Sequence, residues 1–436
     1  MTDITTSPQI SAPLDCVGIG FGPSNLALAI AMREAGSRLA CHFLEKRESF
    51  VWHGDMLLDG SRMQICFLKD LVSMRDPTSP FSFLNYLHVH GRFEDFINTR
   101  TFYPSRHEFN DYLRWAAGHF EAQCTYGQEV LAIEPVWDHG RVRHVRVHAR
   151  DRQGRERHWL ARNAVIGMGG RPCVPEAFAG LEEVSTIIHS SRYLSAVDRL
   201  GSADRVAVIG FGQSAAEIFM DLHSRGVAVD LIARASTLRP ADSSSFVNEI
   251  FNTEYTDYFY GRPLEERRQL VGNFSSTNYS VVDPDLIEKI FDTFYQQQVV
   301  KAERHRLSPR HEVRAVRVGD QGRRIELNLH NLDDGSHETR SFGGVVLATG
   351  YRHAPSAAFL EPMRSCLESM VPNRDYSLPT APVCDAGIYL QGCCEATHGL
   401  SDSLLSVLPM RASEITDALH HGIEAQAERS VAYAVG

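Results

Sequence analysis

The sequence predicts an α/β protein with two parallel-sheet units of the βαβ kind and a smaller insert. Two stretches, one around Val17 and one around Val208, combine an apolar strand, a glycine-rich turn and a helix. A third apolar strand, residues 345–347, lies late in the chain and ends in a Thr-Gly turn. Because 436 residues exceed what one hydrophobic core usually serves, at least two domains are expected.

Charge and composition exclude several classes of protein. The net charge of −10 argues against a nucleic-acid or anionic-membrane partner, because either needs clustered Lys and Arg. Residues 1–13 lack the basic start and the apolar stretch of a secretory signal, and no segment offers 18 uncharged apolar residues for a membrane span. We therefore expect the protein in the cytoplasm.

The first unit, residues 14–45, has the pattern of a dinucleotide-binding turn. Gly18, Gly20 and Gly22 let the backbone bring a pyrophosphate to the N-terminus of the following helix, where free N–H groups and the helix dipole favour anions. Pro23 stands where the usual pattern has its third glycine. Glu45, at the end of the next strand, can accept hydrogen bonds from a ribose diol. The alternative is a turn that serves only to pack the helix against the sheet. The presence of Glu45 after the next strand favours nucleotide binding instead.

The second unit, residues 206–234, repeats the design with a different ending. The second strand of this unit is followed by Arg234 rather than by an acidic residue. An arginine binds the 2′-phosphate of NADPH, which a carboxylate would repel. This favours NADPH over NADH, although Arg234 as a solvated strand end remains an alternative. The predicted NADPH contacts are Gly210, Gly212, Gln213, Ser214, Ala215 and Arg234.

Two such units in one chain indicate a flavoprotein in which NADPH reduces FAD. Disulfide reductases of this kind need a redox-active CxxC or CxxxxC near the flavin, and the nine cysteines show no CxxC and an irregular spacing. The sequence therefore favours a monooxygenase, in which reduced flavin and O2 form a flavin hydroperoxide that passes oxygen to a nucleophile. No metal site is expected, because the 20 histidines form no ligand motif.

The predicted architecture is two Rossmann-like dinucleotide-binding domains with a small inserted substrate domain. Residues 1–175 and 345–436 are assigned to the FAD domain, residues 176–236 and 290–344 to the NADPH domain, and residues 237–289 to the substrate-binding insertion. Within the insertion neither period 2 nor period 3.6 persists for long. Residues 314–340 are predicted as a β-meander at the edge of the NADPH domain.

Specific motifs resemble a known family. They are Trp52-His53-Gly54, the segments 63–72, 76–83 and 108–115, Gly212-Gln213-Ser214-Ala215-Ala216-Glu217, and Thr397-His398-Gly399-Leu400-Ser401-Asp402. Together they resemble the siderophore-biosynthesis, flavin-dependent N-hydroxylating monooxygenases that act on ornithine or lysine, over residues 15–415. Phe246-Val247-Asn248-Glu249 and the segment 278–283 resemble the ornithine branch, with the closest likeness to pseudomonad-type L-ornithine N(5)-monooxygenases.

The resemblance implies roles for individual residues. Lys69, Asn248, Asn278 and Ser406 correspond to substrate-binding positions, with Lys69 and Asn248 at the carboxylate of ornithine. The implied neighbours of FAD beyond the glycine turn are Glu45, Lys46, Trp52, His53 and Gln64. It also implies a homo-oligomer, commonly a tetramer, with L-ornithine and O2 as substrates.

Three alternatives stay open at this stage. Hydroxylases of L-lysine or of the diamines putrescine and cadaverine share the architecture, and an NADPH-dependent flavin reductase or oxidase would release only peroxide. A non-catalytic flavin-bearing scaffold is less consistent with two intact glycine turns. In any N-hydroxylase the attacking amine must be neutral, so activity should rise with pH; the sequence identifies no base.

Overall fold

A computed structural model describes residues 12–200, 203–319, 322–354 and 357–435. The strands are β1 (Leu14–Ile19), β2 (Cys41–Leu44), β3 (Cys124–Thr125), β4 (Glu129–Asp138), β5 (Arg141–Arg150), β6 (Glu156–Ile166), β7 (Arg171–Pro172), β8 (Ile187–His189), β9 (Arg205–Ile209), β10 (Ala228–Ile232), β11 (Arg306–Ser308), β12 (His311–Gly319), β13 (Arg324–Asn331), β14 (His337–Phe342), β15 (Gly344–Leu347), β16 (Tyr351–Arg352) and β17 (Gly387–Leu390). The helices are α1 (Pro23–Glu34), α2 (Phe83–Val89), α3 (Phe93–Asn98), α4 (Arg106–Gly118), α5 (Tyr193–Ala196), α6 (Gln213–Ser224), α7 (Thr253–Tyr260), α8 (Leu264–Asn273), α9 (Pro284–Val299), α10 (Ala357–Leu360), α11 (Glu395–His398) and α12 (Leu408–Val435).

The first sheet has seven strands and combines parallel and antiparallel pairing. Its order is β3-β2-β1-β6-β5-β4, and β17 also pairs with β6. The long strand β6 joins the two parts, because its first half pairs antiparallel with β5 and its second half pairs parallel with β1 and β17. The carboxyl ends of β1, β6 and β17 therefore lie at one edge of the sheet, where the first glycine turn follows β1.

Helix α1 packs on this sheet as the predicted βαβ unit requires. It begins after Gly22 with Pro23 in its first turn, where a missing N–H has no cost. Residues 25–32 of the helix are all buried, because the parallel sheet lies on one side and the C-terminal helix α12 contacts another. The first predicted unit is confirmed, with its second strand, β2, at Cys41–Leu44.

The second sheet is five-stranded, fully parallel and built on the second predicted unit. Its order is β11-β10-β9-β15-β8, and β9, β10 and β15 are nearly all buried. Burial on both faces explains why these strands are mostly apolar, with the buried Asp230 of β10 as the exception. The pairing of β15 with β8 and β9 corrects one predicted boundary. Residues 345–347 lie in this sheet and not in the first, so the chain returns to the first sheet only after them.

The predicted β-meander is confirmed. Strands β12, β13 and β14 form a three-stranded antiparallel sheet, and the buried side chains of β13 pack against the five-stranded sheet. The short strands β7 and β16 form a two-stranded antiparallel sheet that links the ends of β6 and β15.

The insert is more helical than the sequence indicates. It contains α7 and α8 and leads into α9, which packs on α6 through Phe294 and Phe219, whose ring centroids are 5.5 Å apart. Helix α7 buries only Thr256 and Phe259, and α8 has no buried residue. Because so few of their residues are buried, these helices have no continuous apolar stripe, and the helical period is therefore not evident in the sequence.

The described helices include none that is both long and apolar enough to cross a membrane. The longest, α12, spans 28 residues, and its residues Ala412, Ile415 and Leu419 are buried in the core of the first sheet.

Candidate active site

The first glycine turn leaves space beside the N-terminus of α1. Gly20 adopts φ +81°, and a side chain there would lie 2.6 Å from the carbonyl oxygen of Gly167. A Cβ on Gly18 would collide with the Phe43 ring at 2.2 Å, whereas one on Gly22 would meet no atom within 4 Å. Neither a side-chain cap nor an acidic residue occupies the first turn of α1. The turn therefore fits a pyrophosphate, with its backbone as the donor.

Glu45 and Asn25 hold this turn in place. Both oxygens of Glu45 accept backbone hydrogen bonds, from Phe21 N at 2.8 Å and from Arg47 N at 2.9 Å. The fully buried Asn25 donates to the carbonyl of Gly20 at 2.7 Å and accepts from the Gln391 side chain. Asn25 was not predicted as a site residue, although a polar residue on an otherwise apolar helix was the available signal in the sequence.

The predicted flavin neighbours after β2 fall into two groups. Lys46 is exposed, whereas Trp52 is half-buried, with its backbone N–H bonded to the Asn110 side chain at 2.8 Å. The His53 ring lies 4.6 Å from the Trp52 ring, on a residue with φ +49°. Burial lowers the pKa of His53 to about 4, and the charges of Arg106 and Arg47 act in the same direction. His53 nevertheless has open surface, so its ring is accessible to a ligand.

The second glycine turn has the same design as the first. Gly210 adopts φ +129°, and a Cβ there would lie 2.4 Å from the carbonyl oxygen of Ala348. Gly212 precedes α6 without a side-chain cap, and the first turn of α6 carries no acidic residue. Ser214 is half-buried in that turn, and Ala215 is fully buried against the core. This turn also fits a pyrophosphate.

Arg234 lies where the second unit requires it, just after the carboxyl end of β10. The residue is exposed, and its guanidinium has no ion-pair partner within the part of the chain that the structure describes. It can therefore meet a phosphate without breaking an existing contact.

A polar network joins the two glycine-turn units. Gln64, predicted beside the flavin, donates to Asp283 at 3.0 Å, and Gln213 donates to the other oxygen of Asp283 at 2.9 Å. Gln213 also donates to Glu217 at 2.9 Å, and Arg106 binds both oxygens of Glu217 at 2.9 and 2.7 Å. The roles of Asp283, Glu217 and Arg106 were not predicted from the sequence, because all of these contacts except Gln213–Glu217 connect positions 70 to 219 residues apart.

Lys69 lies against the insert. Its Nζ is 5.4 Å from the centre of the Phe251 ring, which belongs to the same short 3₁₀ turn, Val247–Phe251, as Asn248. Burial lowers the pKa of Lys69, while the neighbouring Cys66 acts the other way. The ammonium has no carboxylate partner among the described residues, so a half-buried cation is left with capacity for an anion.

The loop after Lys69 is shaped by Asp70. This buried carboxylate accepts from the backbone N–H groups of Val72, Ser73 and Phe83 at 2.7 to 2.9 Å. Burial raises its pKa despite these bonds. Asp70 thereby fixes the turn from which the Lys69 side chain extends.

Ser406 and Asn278 come from two further segments. Ser406 is buried, and its hydroxyl has no hydrogen-bond partner in the structure. The 3₁₀ turn before it, Leu400–Ser403, contacts the turn that carries Asn248. Asn278 is half-buried, and the next residue, Tyr279, donates its hydroxyl to Glu395 of α11. The insert therefore closes onto the same C-terminal segment that provides Ser406.

The described residues contain no group of three or more His, Cys, Asp or Glu that could hold a metal ion. The candidate site consists of two glycine turns, the exposed His53 and Lys69, which has no carboxylate partner among the described residues.

Comparison with known proteins identifies the family. The family model of L-lysine 6-monooxygenase/L-ornithine 5-monooxygenase matches residues 12–353. The chain belongs to this family. The L-ornithine N(5)-monooxygenase of Pseudomonas aeruginosa is 46% identical over 433 residues, which cover 97% of each chain.

Solved members of the lysine/ornithine monooxygenase family share the fold. The ornithine hydroxylase of Pseudomonas aeruginosa matches with a TM-score of 0.91 and 46% identity, covering 94% of this chain and 100% of that one. The ornithine N-hydroxylase of Kutzneria sp. 744, solved with reduced FAD, NADP⁺ and L-ornithine, matches with a TM-score of 0.88 and 35% identity, covering 94% and 99%. The predicted family and the predicted pair of Rossmann-like domains are both confirmed.

Proposed function

We propose that this family member transfers one atom of O2 to the side-chain amine of L-ornithine, giving N(5)-hydroxyornithine for a hydroxamate siderophore. The chain is a flavin-dependent N-hydroxylating monooxygenase, and FAD and NADPH are its cofactors. Reduced FAD, when bound, supplies the activated oxygen. The residues of the chain bind the two dinucleotides and orient the amino acid.

The observation that carries the choice of an amino-acid substrate is Lys69. Its half-buried ammonium has an aromatic neighbour, Phe251, but no carboxylate partner within the described residues. A charged group left in this way in a partly dry site is stabilised by an anion. The α-carboxylate of ornithine would meet that need, and the side-chain amide of Asn248, on the same turn as Phe251, would donate a further hydrogen bond. A diamine offers no such anion.

The remaining predicted contacts support one orientation of the substrate. The Ser406 hydroxyl is buried and has no hydrogen-bond partner among the described residues, so it has hydrogen-bonding capacity for substrate or flavin. Asn278 lies on the segment between the insert and α9 and is the predicted holder of the backbone end of ornithine. Partial exclusion of water by these segments lowers the pKa of the substrate amine, and the neutral amine is the nucleophile. No residue is assigned as its base.

The second glycine turn and Arg234 are the proposed site of NADPH, and the turn after β1 with Glu45 is the proposed site of FAD. The domain division, with the boundary moved past residue 347, is likewise a proposal. A homo-tetramer in the cytoplasm also remains a prediction, and light scattering of the purified protein would measure its mass.

Product analysis tests the function directly. The FAD-loaded protein is incubated with NADPH, O2 and in turn L-ornithine, L-lysine, putrescine and cadaverine, and hydroxylamine is quantified against NADPH consumed. We expect product from ornithine in close proportion to NADPH. Product mainly from lysine or a diamine would keep the chemistry and overturn the substrate, while peroxide without hydroxylamine would overturn the hydroxylase.

A further inference from the structure

Asp283 occupies a helix N-cap position but does not cap its helix. It precedes α9, and its side chain makes no hydrogen bond to the first turn of that helix. Asp is among the residues that most often cap a helix through the side chain. Here the two carboxylate oxygens accept from the side chains of Gln64 and Gln213 instead, at 3.0 and 2.9 Å. The backbone N–H of Asp283 donates back to Gln213 at 2.9 Å.

These contacts place Asp283 between three parts of the molecule. Gln64 belongs to the loop of the first domain that leads to Lys69, and Gln213 is the first residue of α6, directly after the second glycine turn. Asp283 itself ends the segment that begins at Asn278. One carboxylate thus connects the predicted flavin side, the predicted NADPH turn and the predicted substrate segment.

The network continues to the loop that carries His53 and Met56. Gln213 donates to Glu217, and Arg106 binds Glu217 through both terminal nitrogens. Arg106 also donates to the carbonyl of Met56 at 2.8 Å, three residues after His53. The N-terminus of α6 is therefore held relative to the first domain from two sides, by Asp283 and by Arg106.

We propose that Asp283 is a positioning residue for hydride transfer: by fixing Gln64 and Gln213 together, it sets the distance between the nicotinamide and the flavin. This proposal rests on the proposed function only through the placement of NADPH at the second glycine turn. Asp283 acts through the two glutamines that its carboxylate binds. Small displacements of bound reactants are sufficient to slow a transfer step strongly.

The test uses a reversal of the hydrogen bond. In Asp283→Asn one carboxylate oxygen is replaced by an NH2 group, which faces the side-chain NH2 of one of the two glutamines. Two donors cannot form a hydrogen bond, so one of the two bonds is lost. Gln64→Glu places a second carboxylate beside Asp283. In the double variant Q64E/D283N, the amide introduced at position 283 donates to the carboxylate introduced at position 64 and accepts from Gln213. Both bonds are then restored, the first with reversed polarity.

The matched control is Asp285→Asn. Asp285 lies two residues further along, in the first turn of α9, and is exposed. D285N removes the same charge near the same helix terminus and so accounts for any effect of the helix dipole. It leaves the network intact.

Two measurements are made on the flavin-loaded protein and one on the flavin-free protein. Anaerobic stopped-flow gives the limiting rate of flavin reduction by NADPH, and titration gives the dissociation constant of NADP⁺. Hydrogen–deuterium exchange of residues 61–68 is followed without cofactor. We expect D283N and Q64E to slow reduction by about tenfold or more, with little change in NADP⁺ affinity, and to speed exchange of residues 61–68.

The double variant should reverse both effects, and D285N should match the unsubstituted protein. Reduction at the normal rate in D283N would overturn the proposal, and so would a double variant no faster than the slower single one. An equal loss in D285N would also overturn it, because the cause would then be charge alone. Failure of the proposed function is distinguishable, since hydroxylamine would be absent while the unsubstituted protein still reduced its flavin rapidly.

Discussion

At the scale of single residues, the candidate site depends on polar groups whose capacity is unused. Lys69 is a cation without a carboxylate partner among the described residues, and the Ser406 hydroxyl is buried without a hydrogen bond. Native proteins pair the great majority of such groups, so each exception requires a reason. A ligand that supplies an anion and a hydrogen-bonding atom provides one for both.

Substitution of Lys69 tests its predicted role at the carboxylate. In Lys69→Met the KM for L-ornithine should rise roughly 10- to 100-fold, because a hydrogen bond to a charged group contributes about 1.5–3 kcal/mol. Lys69→Arg keeps the charge and should lose less. Burial lowers the pKa of Lys69, so in the unsubstituted protein the KM should begin to rise at a lower pH than the ordinary pKa of lysine implies.

Steady-state kinetics over a pH series provides the measurement, and putrescine provides the control. A diamine has no carboxylate, so any turnover of putrescine should be no weaker in K69M than in the unsubstituted protein. An equal loss for ornithine and putrescine would show that Lys69 acts on something other than the carboxylate.

At the scale of elements, the two glycine turns were predictable and the network between them was not. Glycine spacing, a following helix and the residue after the next strand are local in sequence, so Gly20, Glu45 and Arg234 could be placed from the pattern alone. Asp283 and Gln64 are 219 residues apart, and no local period signals their contact. The helices of the insert escaped prediction for a related reason, since α8 buries no residue and so shows no apolar face.

The first glycine turn can be tested with paired substitutions. In Gly22→Ala the added Cβ meets no protein atom within 4 Å, so the unfolding temperature of the flavin-free protein should be unchanged. The dissociation constant of FAD should rise, because the methyl group enters the space assigned to the pyrophosphate. Fluorescence titration with FAD and thermal unfolding measure the two quantities.

Gly20→Ala and Gly118→Ala complete the comparison. Gly20 has φ +81°, so alanine there should destabilise the flavin-free protein by about 1 kcal/mol or more. Gly118 has free space around it and lies far along α4, so G118A should change neither quantity. Unaltered FAD affinity in G22A would remove the pyrophosphate from this turn.

At the scale of the whole molecule, a loop of the first domain packs into the core of the second. Met56 and Leu58 belong to the loop after His53, yet both are buried in the core of the second sheet. Two histidines are also buried: His305 is 2% exposed and His398 is 1% exposed, with the ring of His398 4.0 Å from that of Tyr376. Burial lowers the pKa of His398 to about 4 and that of His305 also to about 4.

Acid should therefore destabilise the fold before its carboxylates are protonated. Because these folded-state pKa values lie below the ordinary 6.5, protons bind first to the unfolded chain. The stabilisation from the neutral histidines is complete above about pH 6.5 and is lost as the pH falls toward 4. Of this loss, His398 accounts for on the order of 2 kcal/mol by pH 5.

Denaturant unfolding at a series of pH values measures this loss. His398→Gln should flatten the dependence between pH 6.5 and 5, whatever its effect at neutral pH. His139→Gln, at an exposed turn, is the control and should keep the original slope. Identical slopes in H398Q and the unsubstituted protein would contradict the assignment.

The pairing of β17 with β6 determines the order in which the sheets can be completed during synthesis. All strands of the five-stranded sheet have been made once residue 347 is synthesised, whereas the seven-stranded sheet lacks β17 until residue 390. On the ribosome the first sheet therefore stays incomplete, because residues 163–166 of β6 have no partner on the side that β17 later occupies. The five-stranded sheet can already form at that point. The nascent chain thus exposes a strand edge for more than two hundred residues of elongation, counted from the end of β6 to β17. An unpaired strand edge of this kind is a template on which another chain can pair.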